Sequence, residues 1–521
     1  MGWMRNILAG VIAALVMAAQ PAAAQPAPRV ITADLSAPAT PRDRMADFSI
    51  GSDYPGTLIR DDSLAQLQTA QNELGFRYIR FHAIFHDDMG VYREVDGRPV
   101  YDWTKIDYLY DRLLGMGLKP FVELGFTPDA MKSSEQTIFY WKGNTSHPIP
   151  AKWDGLIDAF VRHLVARYGI EEVRTWYFEA WNEPNLDGFW ERADQAAYFD
   201  LYARSARVIK AIDPALRVGG PATAGAAWTP EFIAYADAND LPIDFIATHT
   251  YGVEGGFLDE YGEGDNRVLQ TDQAIVADVR KVRAEIEASS RPGLPLFFTE
   301  WSVSYNPRDP VHDDYMSAAY IIEKLHQVEG VVQGMSYWTY SDLFEEPGPQ
   351  TRAFDGGFGL MTPEGIRKPA WFAYKYLNAL GDAELPSGDG QSIVARDGDT
   401  LQVLAWAFAG PPEQDVSNRP FFRRVRPAAE VAPVQIAFAG LTPGAHDVKF
   451  RRVGFRNNDA YTAYLEMGRP EKLTPEQIAA LNALSDDEAV MQTVSIGADG
   501  RGTLTLPMLE GDVVLAEVAV R

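Results

Sequence analysis

The chain contains no cysteine. Disulfides, thiolate nucleophiles and cysteine-held metals are therefore excluded, while the cellular compartment stays open. Histidine is sparse, with 8 residues, and no H-E-x-x-H or other clustered ligand spacing occurs, so no metal is expected. Basic side chains are also short in supply: 47 Lys and Arg face 72 Asp and Glu, a formal charge of −25. Nucleic acid and anionic membranes are poor partners for such a surface, because both need a basic face. A polyanionic substrate is disfavoured for the same reason. No glycine-rich phosphate loop follows the first strand-like segment, which argues against an open dinucleotide-binding sheet.

No apolar run reaches the ~20 residues of a membrane-spanning helix. The one short run, Ile7 to Ala18, follows Arg5 and precedes Pro21 and Ala22-Ala23-Ala24-Gln25. A positive start, an apolar stretch and an A-x-A site describe a secretory signal peptide over residues 1–24. The expected mature chain starts near Gln25 and is exported to the periplasm or the medium, with no membrane contact after cleavage.

What is present points to two folded domains, since 521 residues exceed one hydrophobic core. From about residue 46, short β-rich runs alternate with amphipathic stretches. The runs are Phe48–Ser52, Phe76–His82, Leu118–Leu124, Thr175–Trp181, Leu216–Gly220, Asp244–His249, Pro295–Trp301 and Gly334–Tyr340. Helical three-to-four spacing appears over Ser63–Leu74, Trp153–Tyr168, Gln195–Ile212, Asp272–Ala288 and Asp314–Val328. Eight such units over residues 46–382 describe a (β/α)8 TIM barrel. After residue 382 the pattern becomes short strands with turn clusters: Gln391–Ala395, Thr400–Ala409, Val434–Ala439, His446–Val453, Gln492–Ile496 and Gly502–Pro507. This predicts a C-terminal β-sandwich over 383–521, interrupted by a helix at Thr474–Leu484 capped by Thr474. Residues 25–45 contain Val30-Ile31-Thr32, a strand expected to pair with the sandwich.

Active sites of such barrels lie where the strands end, at the C-terminal face. The fourth strand ends in Trp181-Asn182-Glu183-Pro184 and the seventh in Thr299-Glu300-Trp301. Two carboxyl groups facing each other across the barrel mouth are what glycoside hydrolysis needs: one protonated to donate to the leaving oxygen, one ionised to attack the anomeric carbon. Arg80, ending strand two, is the candidate cation beside Glu300, with an interior ion pair to Glu123 or Glu179 as the other reading. Trp181, Phe189 and Trp190 are the apolar neighbours expected to keep Glu183 protonated, and Phe189 and Trp190 are also expected to contact the substrate. His82, His249 and Tyr251 also end strands. Trp338, ending strand eight, is a candidate stacking platform. Tyr305, Asp342, Glu345 and Glu346 lie on the loops after strands seven and eight, where they could accept hydrogen bonds from sugar hydroxyls.

With those residues in order along the barrel, the sequence resembles glycoside hydrolase clan A, and within it family 39, which includes bacterial β-xylosidases and animal α-L-iduronidases. The resemblance runs from about Ile50 to Tyr376. It rests on Gly51-Ser52-Asp53, Arg80-Phe81-His82, Trp181-Asn182-Glu183-Pro184-Asn185, Gly219-Gly220-Pro221, Thr248-His249-Thr250-Tyr251, Phe298-Thr299-Glu300-Trp301, Ser341 to Glu346 and Gly356-Gly357-Phe358-Gly359-Leu360. It implies a general acid/base at Glu183, a nucleophile at Glu300, a contact from Asn182 to the sugar 2-hydroxyl, and an acidic sugar subsite at Glu345 and Glu346. One departure stands out: Arg352-Ala353-Phe354-Asp355 replaces the Phe-His common in related xylosidases, so Arg352 could hold a carboxylate.

The reading is an exported retaining exo-glycosidase, a β-xylosidase acting on small xylo-oligosaccharides without metal or organic cofactor. The alternatives are the same mechanism on another sugar, as an α-L-arabinosidase or uronidase-like enzyme, or a carbohydrate-binding protein without activity. Oligomeric state is not legible.

Overall fold

The computed structural model of the protein describes residues 26–269, 271–408 and 416–520. The signal segment 1–24 and the end of the run at Ala409 lie outside these residues. Among the described residues, no helix is long and apolar enough to cross a membrane.

Eight parallel strands close into a barrel: Ser49–Ser52, Tyr78–Phe81, Lys119–Leu124, Tyr177–Ala180, Arg217–Thr223, Phe245–Tyr251, Leu296–Ser302 and Gly334–Tyr337. Strand eight pairs back onto strand one through Ser336 with Ser49 and Tyr337 with Ile50. Closure excludes the open doubly wound sheet. Helices such as Asp61–Leu74, Pro150–Tyr168, Gln195–Ile212, Val276–Glu287 and Met316–His326 follow strands on the outside. Their apolar faces meet the outward strand residues in one continuous core.

Period-two alternation decides what the barrel interior contains. Phe121, Tyr177, Phe245 and Phe297 join Phe48 and Tyr78 in an aromatic layer at the lower end. Two residues further along, the same inward positions are Glu123, Glu179, Ala247 and Thr299, with Arg80 beside them, all buried. The interior therefore changes from an aromatic plug to a polar layer just below the mouth. Register shifts on strand seven between Phe298 and Trp301 and against strand six between Thr248 and His249 bring Glu300 to the top of that layer.

The C-terminal region packs two sheets face to face. A seven-stranded sheet contains Thr40–Pro41, Ala383–Leu385, Ser392–Asp397, Thr400–Trp406, Val513–Ala519, Gly444–Val453 and Val490–Ile496, in that spatial order. A three-stranded sheet holds Arg29–Asp34, Glu430–Ala439 and Gly502–Leu509, with Arg29–Asp34 parallel to Glu430–Ala439. Their inner faces share Ile31, Val394, Val403, Ile436, Phe438 and Val518. The helix Pro475–Ala483 carries a complete capping box between Thr474 and Gln477. A second inserted helix, Ala460–Glu466, sets Tyr461 and Tyr464 against Phe354 of the loop after strand eight. The barrel and the sandwich meet through Trp406, whose indole N–H donates to Glu323 at 2.6 Å, and through Arg426 with Asp314, also at 2.6 Å.

Candidate active site

At the end of strand four the backbone turns sharply. Trp181 and Glu183 both adopt left-handed conformations, with φ of 67° and 43°. Side-chain-bearing residues rarely accept this, and such strain concentrates at functional sites. The Glu183 amide donates to the Ala222 carbonyl at 2.8 Å, and the Trp181 indole donates to the Phe189 carbonyl at 2.7 Å. The turn is thus tied to strand five and to its own following loop.

Glu183 and Glu300 face each other above the polar layer. His249 stands between them: its Nδ1 is 2.9 Å from Glu183 Oε1 and 3.6 Å from Glu300 Oε2. One atom of each of these three side chains lies within 4.8 Å of the other two. A divalent cation could be held by such a trio, but the Arg80 guanidinium already pairs with Glu300 and would repel it.

The environments of the two carboxyl groups differ. Glu300 receives donors on both oxygens: Arg80 bonds to Oε1, and the Tyr251 hydroxyl donates to Oε2 at 2.9 Å. Charge-assisted donors of this kind are short and strong, and two of them fix the orientation of the carboxyl group. Around Glu183 burial dominates and pushes the carboxyl up to about 7, against the opposing pull of His82 and Arg80. Burial also drives His249 down to about 3, so the bridging imidazole is neutral.

Arg80 is fully buried and serves several partners at once. Besides Glu300 it reaches Glu179 at 2.8 Å, Glu123 at 3.0 Å and the Asn182 side-chain oxygen at 2.8 Å. It therefore fixes the orientation of Asn182, whose Nδ2 is buried without a partner. Glu123 in turn takes His82 Nδ1 at 2.7 Å. Burial alone would lower His82, but Glu123, Glu346 and Glu300 outweigh it and raise the imidazole well above its ordinary value. His82 Nε2 reaches Glu346 at 3.2 Å. Burial pushes Glu346 up to about 8 despite that contact.

These groups open into a cavity of about 460 Å³. Its walls include His82, Glu183, Phe189, Tyr251, Glu300, Tyr305, Trp338 and Glu346, all named as site candidates from the sequence, and also Leu186, Ala224, Gly225, Val253, Asp278 and Phe358. Trp338 packs with Phe344 and Phe358 and lies 4.7 Å from the His82 ring. Its place depends on Gly51, where a Cβ would collide with the indole. Phe139, from the long loop after strand three, lies parallel to His82 at 5.9 Å and edge-on to Phe189 at 5.4 Å. No periodicity marks Phe139 in the sequence; only the fold brings it to the site.

Four sequence-based expectations fail here. Trp190 does not reach the cavity: it is buried behind the wall, stacked on His147 at 4.2 Å, with its N–H given to the Asp194 carbonyl. Its neighbour Phe189 takes the cavity side, because the turn at Leu186–Trp190 points adjacent side chains in opposite directions. Glu345 faces outward and pairs with Arg60 at 2.6 Å, while its amide donates to Asp53. Asp342 is buried in an ion pair with Lys368 at 2.5 Å, which also holds Asp313 at 2.7 Å, so it is a loop anchor rather than a sugar acceptor. Arg352 turns away from the cavity to Glu471 of the sandwich at 3.1 Å, and Asp355 faces Arg308 at 3.6 Å.

A closed parallel barrel with two unlike carboxyl groups opposed at its mouth defines the protein as a glycoside hydrolase. The sequence model of glycosyl hydrolases family 39 matches residues 33–503, and the chain belongs to that family. It is 38% identical to a β-xylosidase of Geobacillus stearothermophilus over 484 residues, covering 90% of this chain and 92% of that protein. The crystal structure of a monomeric β-xylosidase from Caulobacter crescentus superposes with a TM-score of 0.92 at 62% identity, covering 94% of this chain and 99% of the other. That of a family 39 enzyme from Xanthomonas axonopodis pv. citri superposes with a TM-score of 0.93 at 58% identity, covering 95% and 98%.

Proposed function

We propose that the protein is a retaining exo-β-xylosidase that releases xylose from small xylo-oligosaccharides, with Glu183 as general acid/base and Glu300 as nucleophile. The observation that carries this is the close approach of the two carboxyl groups through His249, within 4.8 Å atom to atom. That spacing supports direct attack by a carboxylate, since inverting enzymes keep their carboxyl groups roughly 6.5–9.5 Å apart to seat a water. In the first step Glu300 Oε2 or Oε1 bonds to the anomeric carbon while the proton of Glu183 passes to the departing glycosidic oxygen. In the second, Glu183 takes a proton from water, and the resulting hydroxide displaces Glu300 and frees the sugar.

The sugar reading rests on the β-xylosidase relatives and on the cavity walls. No Lys or Arg lines the cavity among the described residues, so a neutral sugar is favoured over a uronate. The unmet Asn182 donor supports a contact to the 2-hydroxyl. The Arg5, apolar run and Ala22-Ala23-Ala24 signature supports export to the periplasm or the medium.

The test is hydrolysis of nitrophenyl β-D-xyloside, α-L-arabinopyranoside, α-L-arabinofuranoside, β-D-glucoside and an α-L-iduronide analogue. Release from the xyloside is expected, falling by roughly a thousandfold or more in Glu300→Gln. In Glu183→Ala, an activated aryl xyloside is still attacked and azide restores turnover. Preference for another glycoside refutes the sugar, substantial turnover in Glu300→Gln refutes the nucleophile, and absence of azide rescue refutes the acid/base.

A further inference from the structure

The barrel order divides the cavity into two sides. His82 follows strand two, while Trp338, Glu346 and Phe358 follow strand eight, and strand one lies between those two strands. Across the mouth, Leu186 follows strand four, Ala224 and Gly225 end or follow strand five, Val253 and Asp278 follow strand six, and Tyr305 follows strand seven. The first side is deep, with His82, Trp338 and Phe358 buried. The second is open, with Leu186 39% and Tyr305 48% accessible.

Glu183 belongs to the open side. Its turn is joined to the loop after strand five, where the Asn185 side chain bonds the Ala224 backbone at 2.9 and 3.0 Å. The Leu186 amide donates to the Glu183 carbonyl at 3.0 Å. A glycosidic oxygen protonated by Glu183 therefore carries its leaving group out over strands four to six. Asp278, in the first turn of the helix Val276–Glu287, lines this side. Its Oδ2 accepts the Thr250 hydroxyl at 2.5 Å, and Thr250 follows His249, the partner of Glu183. Among the described residues Thr250 is its one hydrogen-bond donor, so Oδ1 keeps its capacity to accept. The Tyr305 hydroxyl gives its proton to Asn266 at 2.9 Å, and toward the cavity it too can only accept.

We infer that Asp278 is the residue that recognises the sugar on the leaving-group side, its free oxygen accepting a hydroxyl of the second sugar unit, with Tyr305 as a further acceptor. This rests on the reading of Glu183 as the acid and of small xylo-oligosaccharides as substrates. A hydroxylated ring supplies the donors that these acceptors lack, and hydrogen bonds to a carboxylate are among the strong ones. An apolar ring of the same size would cover the acceptors and leave them unmatched, which is costly.

The experiment measures kcat/KM of the wild type and of Asp278→Asn on xylobiose and on three analogues, each lacking the hydroxyl at C1, C2 or C3 of the leaving-group ring. Asparagine keeps an oxygen for Thr250 and places N–H groups where the free oxygen stood. In the wild type, loss of at least one hydroxyl is expected to lower kcat/KM by about tenfold or more. In Asp278→Asn, xylobiose is expected to fall by a similar factor, and the sensitive analogue to lie within about twofold of it, the signature of a direct contact in a double-substitution cycle. A missing hydroxyl that costs the same factor in both proteins means that Asp278 acts elsewhere, for example through Thr250 and His249, and overturns the inference. So does a wild type that uses all four substrates within about twofold, a result independent of variant folding. Nitrophenyl β-D-xyloside separates this inference from the reading it rests on. Turnover of that substrate without cleavage of xylobiose overturns the inference alone. Turnover of neither overturns the sugar assignment, and the same series built on the glycone that is turned over then reads Asp278.

Discussion

Replacing Glu183 by Gln removes a charge that burial makes costly, and the effect has a definite sign and pH window. The buried carboxyl is raised from 4.5 to about 7. At ~1.4 kcal/mol per pH unit this corresponds to about 3 kcal/mol of penalty on the ionised folded form. Below pH 4.5 the folded and unfolded chains both hold the proton, and no penalty exists. Between 4.5 and about 7 the folded chain holds a proton that the unfolded chain has lost, so wild-type stability falls as pH rises. Above about 7 both are ionised and the loss is complete. Glu183→Gln keeps the shape and never ionises. It is therefore expected to gain over the wild type by up to about 3 kcal/mol at pH 8.5 relative to its standing at pH 4, even though the proposed acid/base role of Glu183 predicts loss of activity on unactivated glycosides. The assay is calorimetric melting of both proteins across that range, read as a difference in midpoint. Any constant offset from the His249 contact cancels in the comparison. A difference that does not change with pH refutes the argument. The kinetic counterpart, for the proposed role of Glu183 as general acid, is a fall in wild-type kcat/KM above pH about 7, where that carboxyl loses its proton.

Three other perturbations test separate parts of the structure. Lys368→Met strips the cation from buried Asp313 and Asp342 and is expected to destabilise by about 3–5 kcal/mol. The loss is larger at pH 8 than at pH 5, because Asp313, already pushed up to about 7 by burial, regains its proton in acid; a pH-independent loss in melting midpoint contradicts this. Gly51→Ala drives a Cβ into Trp338 and is expected to raise KM by roughly tenfold in a folded protein, an overpacking cost of about 1–3 kcal/mol; unchanged KM means that Trp338 does not shape the sugar site. Arg352→Ala removes a side chain bonded to Glu471 outside the cavity, so glycoside preference on the nitrophenyl panel stays within about twofold; a change of preferred sugar refutes that placement.

The irregular parts of the sequence were the least legible. The strand Val513–Ala519 sits in the middle of the seven-stranded sheet, between Thr400–Trp406 and Gly444–Val453, and its buried run lacks the alternation that marks exposed strands. The helix Ala460–Glu466 is too short for a periodic signal and is held by packing against Phe354. The loop after strand three, which sets Phe139 against His82 and Phe189, and the hairpin Val253–Leu258 with Gly264–Val268, whose Val253 lines the cavity, run on backbone without a repeating pattern.

Local sequence alone determined the barrel, the sandwich and the strand-end pair Glu183 and Glu300. Alternation with period two and spacing of three to four residues are properties of a single segment, and a strand-end residue must face the mouth. Only the tertiary structure decided which neighbour enters the cavity. Phe189 and not Trp190, and Glu346 and not Glu345, line it, because these pairs lie on turns whose dihedral angles are set by contacts with other loops. The sequence already named Glu300, and Glu123 or Glu179, as partners for Arg80; the fold joins all three to it, and only the fold showed Arg352 and Asp342 leaving the sugar site for Glu471 and Lys368. Their distant positions in the chain carry no local signal. A buried charge takes whichever opposite charge the packed structure brings within reach.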